Sequence, residues 1–420
     1  MVSPDIVIFP LRRESVKRFV ASMLCLAAAA FAGQALAADP AAFHIGICTG
    51  TVSQSEDDLR GAEALIKKYG DVASGGMIKH VTYPDNFMTE METTISQIAS
   101  FADDPLMKAV IVNQGIPGTT EGMRRIREAR PDILLFVGEA HEDPGVIESV
   151  ADLVINADNI SRGYLIIDTA KKLGVTDFVH ISFPRHMSYE LLSRRRNIME
   201  VACEDLGLKF HFETAPDPTS DVGVAGAQQF ILEKVPAWLD QYGPNTAFFC
   251  TNDAHTEPLL KRLTEGKGGF FIEADLPSPL MGYPGALGID LADVSGDFPA
   301  ILKRVEDTVV AKGAGGHLGT WAFSYGFTNS EALGELARQY IEAGVDAKNF
   351  RRNFKTSDLF NAYNAATPGA TWNGSYYRDV QTGVEKKNHV LVYQDTYMMG
   401  GPGYMGATQV DVPEKYFSIK

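Results

Sequence analysis

The chain has 420 residues, with 53 acidic against 38 basic side chains and a formal net charge of −15. Hydrophobic residues make up 45% and charged residues 22%, which are ordinary globular values and exclude a disordered or low-complexity protein. The length predicts two or three domains with a substantial core. The acidic excess argues against nucleic acid or an anionic membrane as a general partner, because both are bound through basic patches.

The N-terminus carries the three-part pattern of a secretory signal peptide. A basic stretch at residues 12–18 precedes an apolar run at 19–32 and a small-x-small cleavage site, Ala-Leu-Ala, at 35–37. The alternative is a membrane anchor, but the run is shorter than the about 20 apolar residues that a spanning helix needs. We therefore expect cleavage after Ala37 and a periplasmic mature protein.

Cysteine and histidine usage predicts neither a disulfide scaffold nor a metal site. Cys48, Cys203 and Cys250 remain after cleavage, and an odd number cannot all pair internally. Two of them lie in apolar strand-like runs, where a buried free thiol is the expected state. The run His141-Glu142-Asp143 has no second His or Cys pair to complete a metal site. No cofactor and no metal are expected.

Short apolar runs alternate with amphipathic segments in the first part of the chain. The predicted strands are 43–48, 78–82, 109–113, 133–137 and 153–155, and the predicted helices are 57–69, 89–101, 120–128 and 144–150. The strands start roughly 20 to 35 residues apart, which is the spacing of βαβ units with crossover helices. This pattern predicts a doubly wound parallel sheet.

The alternation then starts again and predicts a second α/β unit of similar size. Its predicted helices are 163–173, 190–206, 223–239 and 257–265, with a break or kink at Pro236, and its predicted strands are 177–181, 209–213, 247–250 and 269–273. A Pro/Gly-rich stretch at 277–288 indicates a crossover. Beyond it we expect strands at 286–289, within 317–323 and at 390–393, and helices at 298–312, 331–343 and 355–365.

Three stretches resemble the type I periplasmic solute-binding proteins, the ribose-binding-like group that feeds ABC transporters. Residues 43–58 form a strand that opens into a Thr/Ser/Gln-rich turn and a helix. Residues 246–263, TAFFCTNDAHTEPLLKRL, form a strand that ends in Asn-Asp, and residues 282–290, GYPGALGID, resemble the return crossing. Repressors of this fold carry a helix-turn-helix ahead of the lobes, where this chain has the signal peptide. The chain looks most like an uncharacterised bacterial family built on this fold.

The resemblance implies two doubly wound parallel-sheet α/β lobes joined by a hinge. The N-terminal lobe is expected at 38–157 and 277–322, and the C-terminal lobe at 158–276. An extended C-terminal region, 323–420, is expected to complete the lobes and the hinge.

Polar residues that follow the predicted strands are the candidate ligand contacts, because ligands of open α/β sheets bind outside the carboxyl ends of the strands. On the first lobe these are Thr49, Thr51, Ser53, Gln54, Tyr83, Asn86, Asn113, Gln114, Glu139 and His141. On the second lobe they are Ser182, Arg185, His186, Asn252, Asp253 and Asp275. Each single Asn, Asp, Ser or Thr is equally compatible with a turn or helix N-cap, but several are expected to touch a polar ligand.

Two arginines and one tryptophan near the crossings have two interpretations each. Arg162 and Arg185 could bind a ligand, through a bidentate pair with a carboxylate or a charge-assisted bond to a sugar hydroxyl, or could form an ion pair between the lobes. Trp321 could pack on a sugar or purine ring or could belong to the core of the hinge. The Arg triplet at 194–196 lies in a predicted helix and is expected to form a solvated face.

These observations predict a binding protein and not an enzyme. It is expected to be a monomer that captures a small polar solute by hinge closure and delivers it to the membrane permease of an ABC transporter. One alternative is a sensor that presents the closed form to a receptor or kinase. Another is a periplasmic enzyme on an α/β fold, although no G-x-S-x-G elbow is present. A sugar, a nucleoside, an amino-acid-like solute and a small aromatic acid all stay open as ligands.

Overall fold

The computed structural model describes residues 41–266 and 268–420. The predicted signal peptide and its cleavage after Ala37 lie outside the described residues. Among the described residues, no helix has the length and apolar character needed to cross a membrane.

The first part of the chain builds a parallel sheet with helices on both faces. Its strands are β1 (His44–Thr49), β2 (Ile78–Thr82), β3 (Met107–Gly115), β4 (Leu134–Ala140) and β5 (Leu153–Ala157), and its helices are α1 (Val52–Tyr69), α2 (Met91–Ala99), α3 (Thr119–Ala129) and α4 (Pro144–Ile147). On β3, Ile111 joins the hydrophobic cluster on one face of the sheet and Val112 joins the cluster on the other. Burial on both faces explains why these strands are almost uninterrupted apolar runs.

The middle of the chain builds a second, four-stranded parallel sheet in the order β7-β6-β8-β9. Its elements are α5 (Asn159–Lys172), β6 (Asp177–Ser182), α6 (Pro184–Met187), α7 (Glu190–Leu206), β7 (Lys209–Thr214), α8 (Gly223–Tyr242), β8 (Thr246–Cys250), α9 (Asp253–Glu265), β9 (Phe270–Phe271), α10 (Tyr283–Leu287) and α11 (Phe298–Ala311). Adjacent residues of β8 again face opposite clusters, since Phe248 belongs to one and Phe249 to the other. Helix α8 continues through Pro236, where a break or kink was predicted.

Residues 277–322 differ from the sequence-based prediction in both structure and packing. A helix, α10, stands where residues 286–289 were expected to form a strand. Its Pro284 lies in the first turn, where a proline costs the helix no hydrogen bond. Tyr283 and Phe298 join the cluster of Val179 and Phe248, so α10 and α11 cover the second sheet and not the first.

The last part of the chain completes the first sheet. It contains β10 (Gly319–Trp321), α12 (Tyr325–Glu342), α13 (Phe350–Asn353), α14 (Thr356–Ala366), β11 (Trp372–Arg378), β12 (Glu385–Gln394), β13 (Thr396–Met398) and β14 (Gly403–Tyr404). Strand β12 pairs in parallel with β5, and β11 pairs antiparallel to β12 at the edge, which gives the order β11-β12-β5-β4-β3-β1-β2. Strands β10, β13 and β14 form a small antiparallel sheet. The predicted fold class, two parallel-sheet lobes with an extended C-terminal region, is confirmed.

The three cysteines of the described chain are buried free thiols. Burial raises the pKa of Cys48, Cys203 and Cys250 to about 12. A thiol with so high a pKa stays protonated at neutral pH and is a poor nucleophile.

Candidate ligand-binding cleft

A cleft of about 870 Å³ opens where the carboxyl ends of the two parallel sheets meet. The predicted contacts that line it are Ser53, Gln54, Tyr83, Asn86, Gln114, Glu139, His141, Arg185, His186, Asn252, Asp253 and Asp275. The predicted contacts that are not part of its lining are Thr49, Thr51, Asn113, Arg162, Ser182 and Trp321. The strand-end rule thus brings most of the predicted residues to one place, and their contact with a ligand stays a prediction.

Thr51 has the structural role that was its alternative interpretation. It is the N-cap of α1, and its side-chain oxygen accepts the backbone N–H of Ser53 at 3.3 Å. Its hydroxyl group also donates to the carboxylate of Asp85. Gln54, one turn into the helix, donates its amide to the backbone carbonyl of Asp85 at 3.0 Å. These bonds tie α1 to the loop after β2 at the rim of the cleft.

Thr49 and Asn113 lie behind the cleft wall, and both are fully buried. The Thr49 hydroxyl lies 2.8 Å from Nε2 of His80 and 2.9 Å from the carbonyl oxygen of Gly50. The Asn113 amide donates to Ser330 at 2.9 Å. Their polar groups are therefore satisfied by the protein itself.

Glu139 is the most deeply buried acid of the cleft lining, with 6% of its surface exposed. Its backbone adopts a left-handed conformation at φ +46°, which few residues other than glycine adopt. Its Oε2 atom accepts the N–H of Ala157 at 2.9 Å. Burial, helped by the negative charge of Asp275, raises the pKa of this carboxyl group to about 7, against the hydrogen bonds from Ala157 and Tyr325 and the positive charge of Arg162.

Asp253 brings a second acid to the cleft from the other lobe. It is the first residue of α9 and follows Asn252, the N-cap, whose Oδ1 accepts the N–H of Ala254 at 3.0 Å. The Oδ1 atom of Asp253 is buried and accepts no hydrogen bond from the described residues. Burial raises the pKa of Asp253 to about 8, and the charges of Asp275 and Asp57 act in the same direction.

Two histidines and a tyrosine form an aromatic group that spans the two lobes. The ring of His141, after β4, stacks on that of Tyr189 at a centroid distance of 6.1 Å, and His186 lies 5.8 Å from the same tyrosine. Burial lowers the pKa of both histidines to about 4. They are therefore neutral at pH 7, so this part of the cleft lining is aromatic and uncharged.

Arg185 lines the cleft, but its guanidinium group is occupied within its own lobe. Its Nε and Nη2 atoms donate to the two carboxylate oxygens of Asp217 at 2.8 and 3.0 Å. This is a bidentate pair inside the second lobe, so neither a ligand carboxylate nor a partner in the first lobe is needed to balance the charge.

Arg162 and Trp321 belong to the hinge and not to the cleft. Arg162 is 1% exposed and donates to Glu273 at 2.7 Å and to the backbone carbonyls of Ala274 and Asp275 at 2.7 and 2.9 Å. The indole N–H of Trp321 donates to the other oxygen of Glu273 at 2.9 Å, and the guanidinium carbon of Arg162 lies 5.2 Å from the indole ring. These groups satisfy one another, which leaves none of them available to a ligand.

The expected solvated face at residues 194–196 is wrong for two of the three arginines. Arg194 and Arg195 are 2% and 0% exposed, because α7 turns this face toward α5 and the C-terminal segment. Arg195 donates to Asn159 at 2.5 Å and pairs with Asp275, and Arg194 donates to the carbonyl oxygens of Phe417 and Ile419.

Several cleft residues escaped the sequence prediction, including Asp85, Asn156, Asn159, Tyr189 and Thr251. Asn159 comes two residues after β5 and Thr251 directly after β8, so the strand-end rule applied to every strand would have included both. Tyr189 follows the short helix α6, which the prediction did not contain.

Among the described residues, no group of three or more His, Cys, Asp or Glu side chains is placed to hold a metal ion.

Comparison with known proteins places this architecture in a family. The sequence model of a family described as a protein of unknown function, DUF3798, matches residues 43–319. The chain belongs to this family. A second family model without a description matches residues 330–419.

Two proteins of Treponema pallidum (strain Nichols), both described as uncharacterized, are similar in sequence. One is 44% identical over 203 residues, which cover 47% of this chain and 92% of the relative. The other is 39% identical over 219 residues, which cover 52% of this chain and 99% of the relative.

Solved structures are similar in fold at low sequence identity. A protein of Clostridium difficile 630 described as a transcriptional regulator has a TM-score of 0.71 at 19% identity, over 86% of this chain and 99% of its own. A solute-binding protein of Actinobacillus succinogenes 130z with bound D-allose has a TM-score of 0.49 at 14% identity, over 72% of this chain and 92% of its own. At a TM-score of 0.71, the likeness to the Clostridium difficile protein shows that the DUF3798 chain shares the fold of that protein.

Proposed function

We propose that this protein is an extracytoplasmic solute-binding protein that captures a small polar ligand in the cleft between its lobes. The observation that carries the proposal is the lining of the cleft, which draws polar side chains from the strand ends of both sheets. Its volume of about 870 Å³ lies within the range of about 300–1,000 Å³ that is usual for small-molecule sites.

The division of the lining between two lobes supports binding by hinge closure. Gln114 and Glu139 come from the first sheet, and Asn252 and Asp253 come from the second. A ligand that touches both sets of residues holds the lobes together, and the closed form is the one that a partner protein can recognise. The proposed partner is the membrane permease of an ABC transporter, and the proposed compartment is the periplasm.

The first experiment is mass spectrometry of the solute carried by freshly purified mature protein, paired with a thermal-shift screen of sugars, nucleosides, amines and carboxylates. A ligand at a hundredfold excess over its Kd adds about 2.7 kcal/mol to the free energy of unfolding, so the melting temperature should rise with ligand concentration. A protein that carries no solute and that no compound stabilises would contradict the binding proposal.

Chemical analysis of the recovered ligand separates binding from catalysis. A binding protein returns the ligand unchanged after long incubation, whereas turnover would support the alternative of a periplasmic enzyme. N-terminal sequencing of the exported protein tests the compartment, since a cleaved signal peptide predicts Ala38 as the first residue. A protein that stays in the cytoplasm with residues 1–37 attached would contradict export.

Neighbouring genes separate delivery from sensing. Genes for a permease and an ATPase next to this one would support transport. A histidine kinase gene in that place would favour the sensor alternative, in which the same closed form is presented to a receptor or kinase.

A further inference from the structure

Two acidic side chains of the cleft, one from each lobe, have no cationic partner of their own. Glu139 accepts the N–H of Ala157 and faces the hydroxyl group of Tyr325, and neither group neutralises a carboxylate. The buried Oδ1 of Asp253 accepts no hydrogen bond from the described residues. Both side chains line the same cleft.

The arginines near the cleft form their ion pairs with other acids. Arg162 pairs with Glu273 at 2.7 Å, Arg185 pairs with Asp217 at 2.8 Å, and Arg195 pairs with Asp275. The protein has therefore placed its nearby positive charges against other carboxylates. The negative charge of Asp275 acts against ionisation of both Glu139 and Asp253, and at Glu139 the more distant charge of Arg162 opposes it without forming an ion pair.

A carboxylate taken out of water without a counterion is costly, and the hydrogen bond from Ala157 to Glu139 offsets only part of that cost. A positively charged ligand would supply the missing interaction at both groups. We infer that the cleft takes an organic cation, a solute that bears a protonated amine, amidine or guanidinium group held by Glu139 and Asp253. The inference rests on the proposed solute-binding function and narrows its ligand class.

The rest of the lining suits an organic cation better than a metal ion. Among the described residues, no three acids, histidines or cysteines are grouped closely enough to hold a metal ion, which favours a positive charge carried by an organic molecule. The neutral rings of His141 and Tyr189 offer aromatic faces, which attract ammonium and guanidinium groups. Gln114 and Asn252 can bond to the polar remainder of the solute.

A matched ligand series tests the charge directly. Putrescine, 1,4-butanediol and succinate have four-carbon chains of similar length but differ in charge. Putrescine carries two positive charges, 1,4-butanediol is neutral, and succinate carries two negative charges. Agmatine serves as a further cation, and ribose and inosine serve as neutral solutes. The affinity of the protein for each compound is measured by calorimetry at pH 8. We expect at least one cation to bind, and at least tenfold tighter than its neutral counterpart.

Two conservative variants test the residues. Glu139→Gln and Asp253→Asn each should weaken the binding of the cation at least tenfold while the melting temperature of the ligand-free protein is kept or raised. The control is Asp293→Asn, which removes an exposed carboxylate that pairs with Arg304 outside the cleft and should leave the affinity unchanged.

The outcomes separate this inference from the function on which it rests. Binding of ribose, inosine or succinate without binding of any cation would overturn the cationic ligand and leave solute binding intact. A co-purified solute without a basic nitrogen would do the same. Cation binding that both variants retain at full strength would overturn the role of these two acids, and a protein that carries and binds nothing would contradict both proposals.

Discussion

The hinge and the floor of the cleft both bury charged side chains, but they balance the charge in opposite ways. In the hinge, Arg162, Glu273 and Trp321 form a closed set of hydrogen bonds among themselves and nearby carbonyls. In the cleft, Glu139 and Asp253 have no ion-pair partner of their own and lie near Asp275, which is already paired with Arg195. A buried charge with its partners in place stabilises the architecture, whereas buried charges without a counterion mark a place for a ligand.

Removal of the hinge arginine should have the largest effect on stability. Arg162→Met leaves Glu273 buried without its cation, which should lower the free energy of unfolding by about 3–5 kcal/mol. Urea denaturation measures the change. The control is Lys303→Met, since the ion pair of Lys303 with Asp307 is exposed and its loss should not move the unfolding midpoint. Equal midpoints for the two variants would contradict the stabilising role of the hinge network.

Close packing behind the cleft, and not charge alone, should fix the position of Glu139. A Cβ atom at Gly138 would lie 1.8 Å from Oδ1 of Asn113 and 2.0 Å from Nδ2 of Asn329. Gly138→Ala should therefore cost about 1–3 kcal/mol of stability, as overpacking does in other cores. Gly145→Ala is the matched control, because its nearest neighbour is a side-chain oxygen of Asp143 at 3.2 Å. Similar melting temperatures for both variants would contradict this account of the wall.

The cleft acids should make the ligand-free protein less stable as the pH rises. Burial raises the pKa of Glu139 to about 7 and of Asp253 to about 8, whereas carboxyl groups of an unfolded chain titrate near about 4. Between these limits the folded protein holds more protons than the unfolded chain, so stability falls with rising pH. Glu139→Gln removes one of the ionising groups and should raise stability at pH 8.5 by on the order of 1 kcal/mol.

The pH range of this measurement separates the acids from the histidines. Burial lowers the pKa of His141 and His186 to about 4, whereas an unfolded histidine has a pKa of about 6.5. Between these two values the histidines make stability rise with pH, which is opposite to the effect of the acids. Urea denaturation is therefore compared between pH 6.5 and 8.5. Other groups also face the two acids: Asp57, Asp58, the ion-paired Asp275, Arg162 and Arg195, and the hydroxyl group of Tyr325. Burial raises the pKa of Asp57 and of Asp58 as well. An equal slope in wild type and Glu139→Gln would contradict the assignment to Glu139.

Local sequence rules predicted the two sheets and much of the cleft lining. Buried parallel strands are apolar on both faces, so runs such as the one around Ile111 are visible in the sequence. The strand-end rule then brings Gln114, Glu139, Asn252 and Asp253 to one cleft without further information.

Long-range partners explain what the sequence did not reveal. Arg194 is buried because it binds carbonyl oxygens of Phe417 and Ile419, more than 200 residues further along the chain. Arg162 donates to Glu273, which lies more than 100 residues further along the chain. No local sequence pattern distinguishes an arginine with such a distant partner from an arginine that binds a ligand. The covering of the second sheet by α11 depends on tertiary packing in the same way.

The smallest predicted effect concerns Thr51, which was expected to touch the ligand but caps α1 at the rim of the cleft. Thr51→Ala removes the acceptor for the N–H of Ser53 and should cost about 1 kcal/mol of stability, as the loss of an N-cap does elsewhere. The affinity for the co-purified ligand, measured by calorimetry, should stay within about twofold of the wild-type value. A tenfold loss corresponds to about 1.4 kcal/mol of binding free energy, and a side chain outside the cleft lining makes no ligand contact that could supply so much. Asp253→Asn gives the opposite pattern, with stability kept and affinity lost. If Thr51→Ala instead weakens binding as strongly as Asp253→Asn and leaves stability unchanged, Thr51 contacts the ligand, and the distinction between the capping residue and the cleft acids fails at this position.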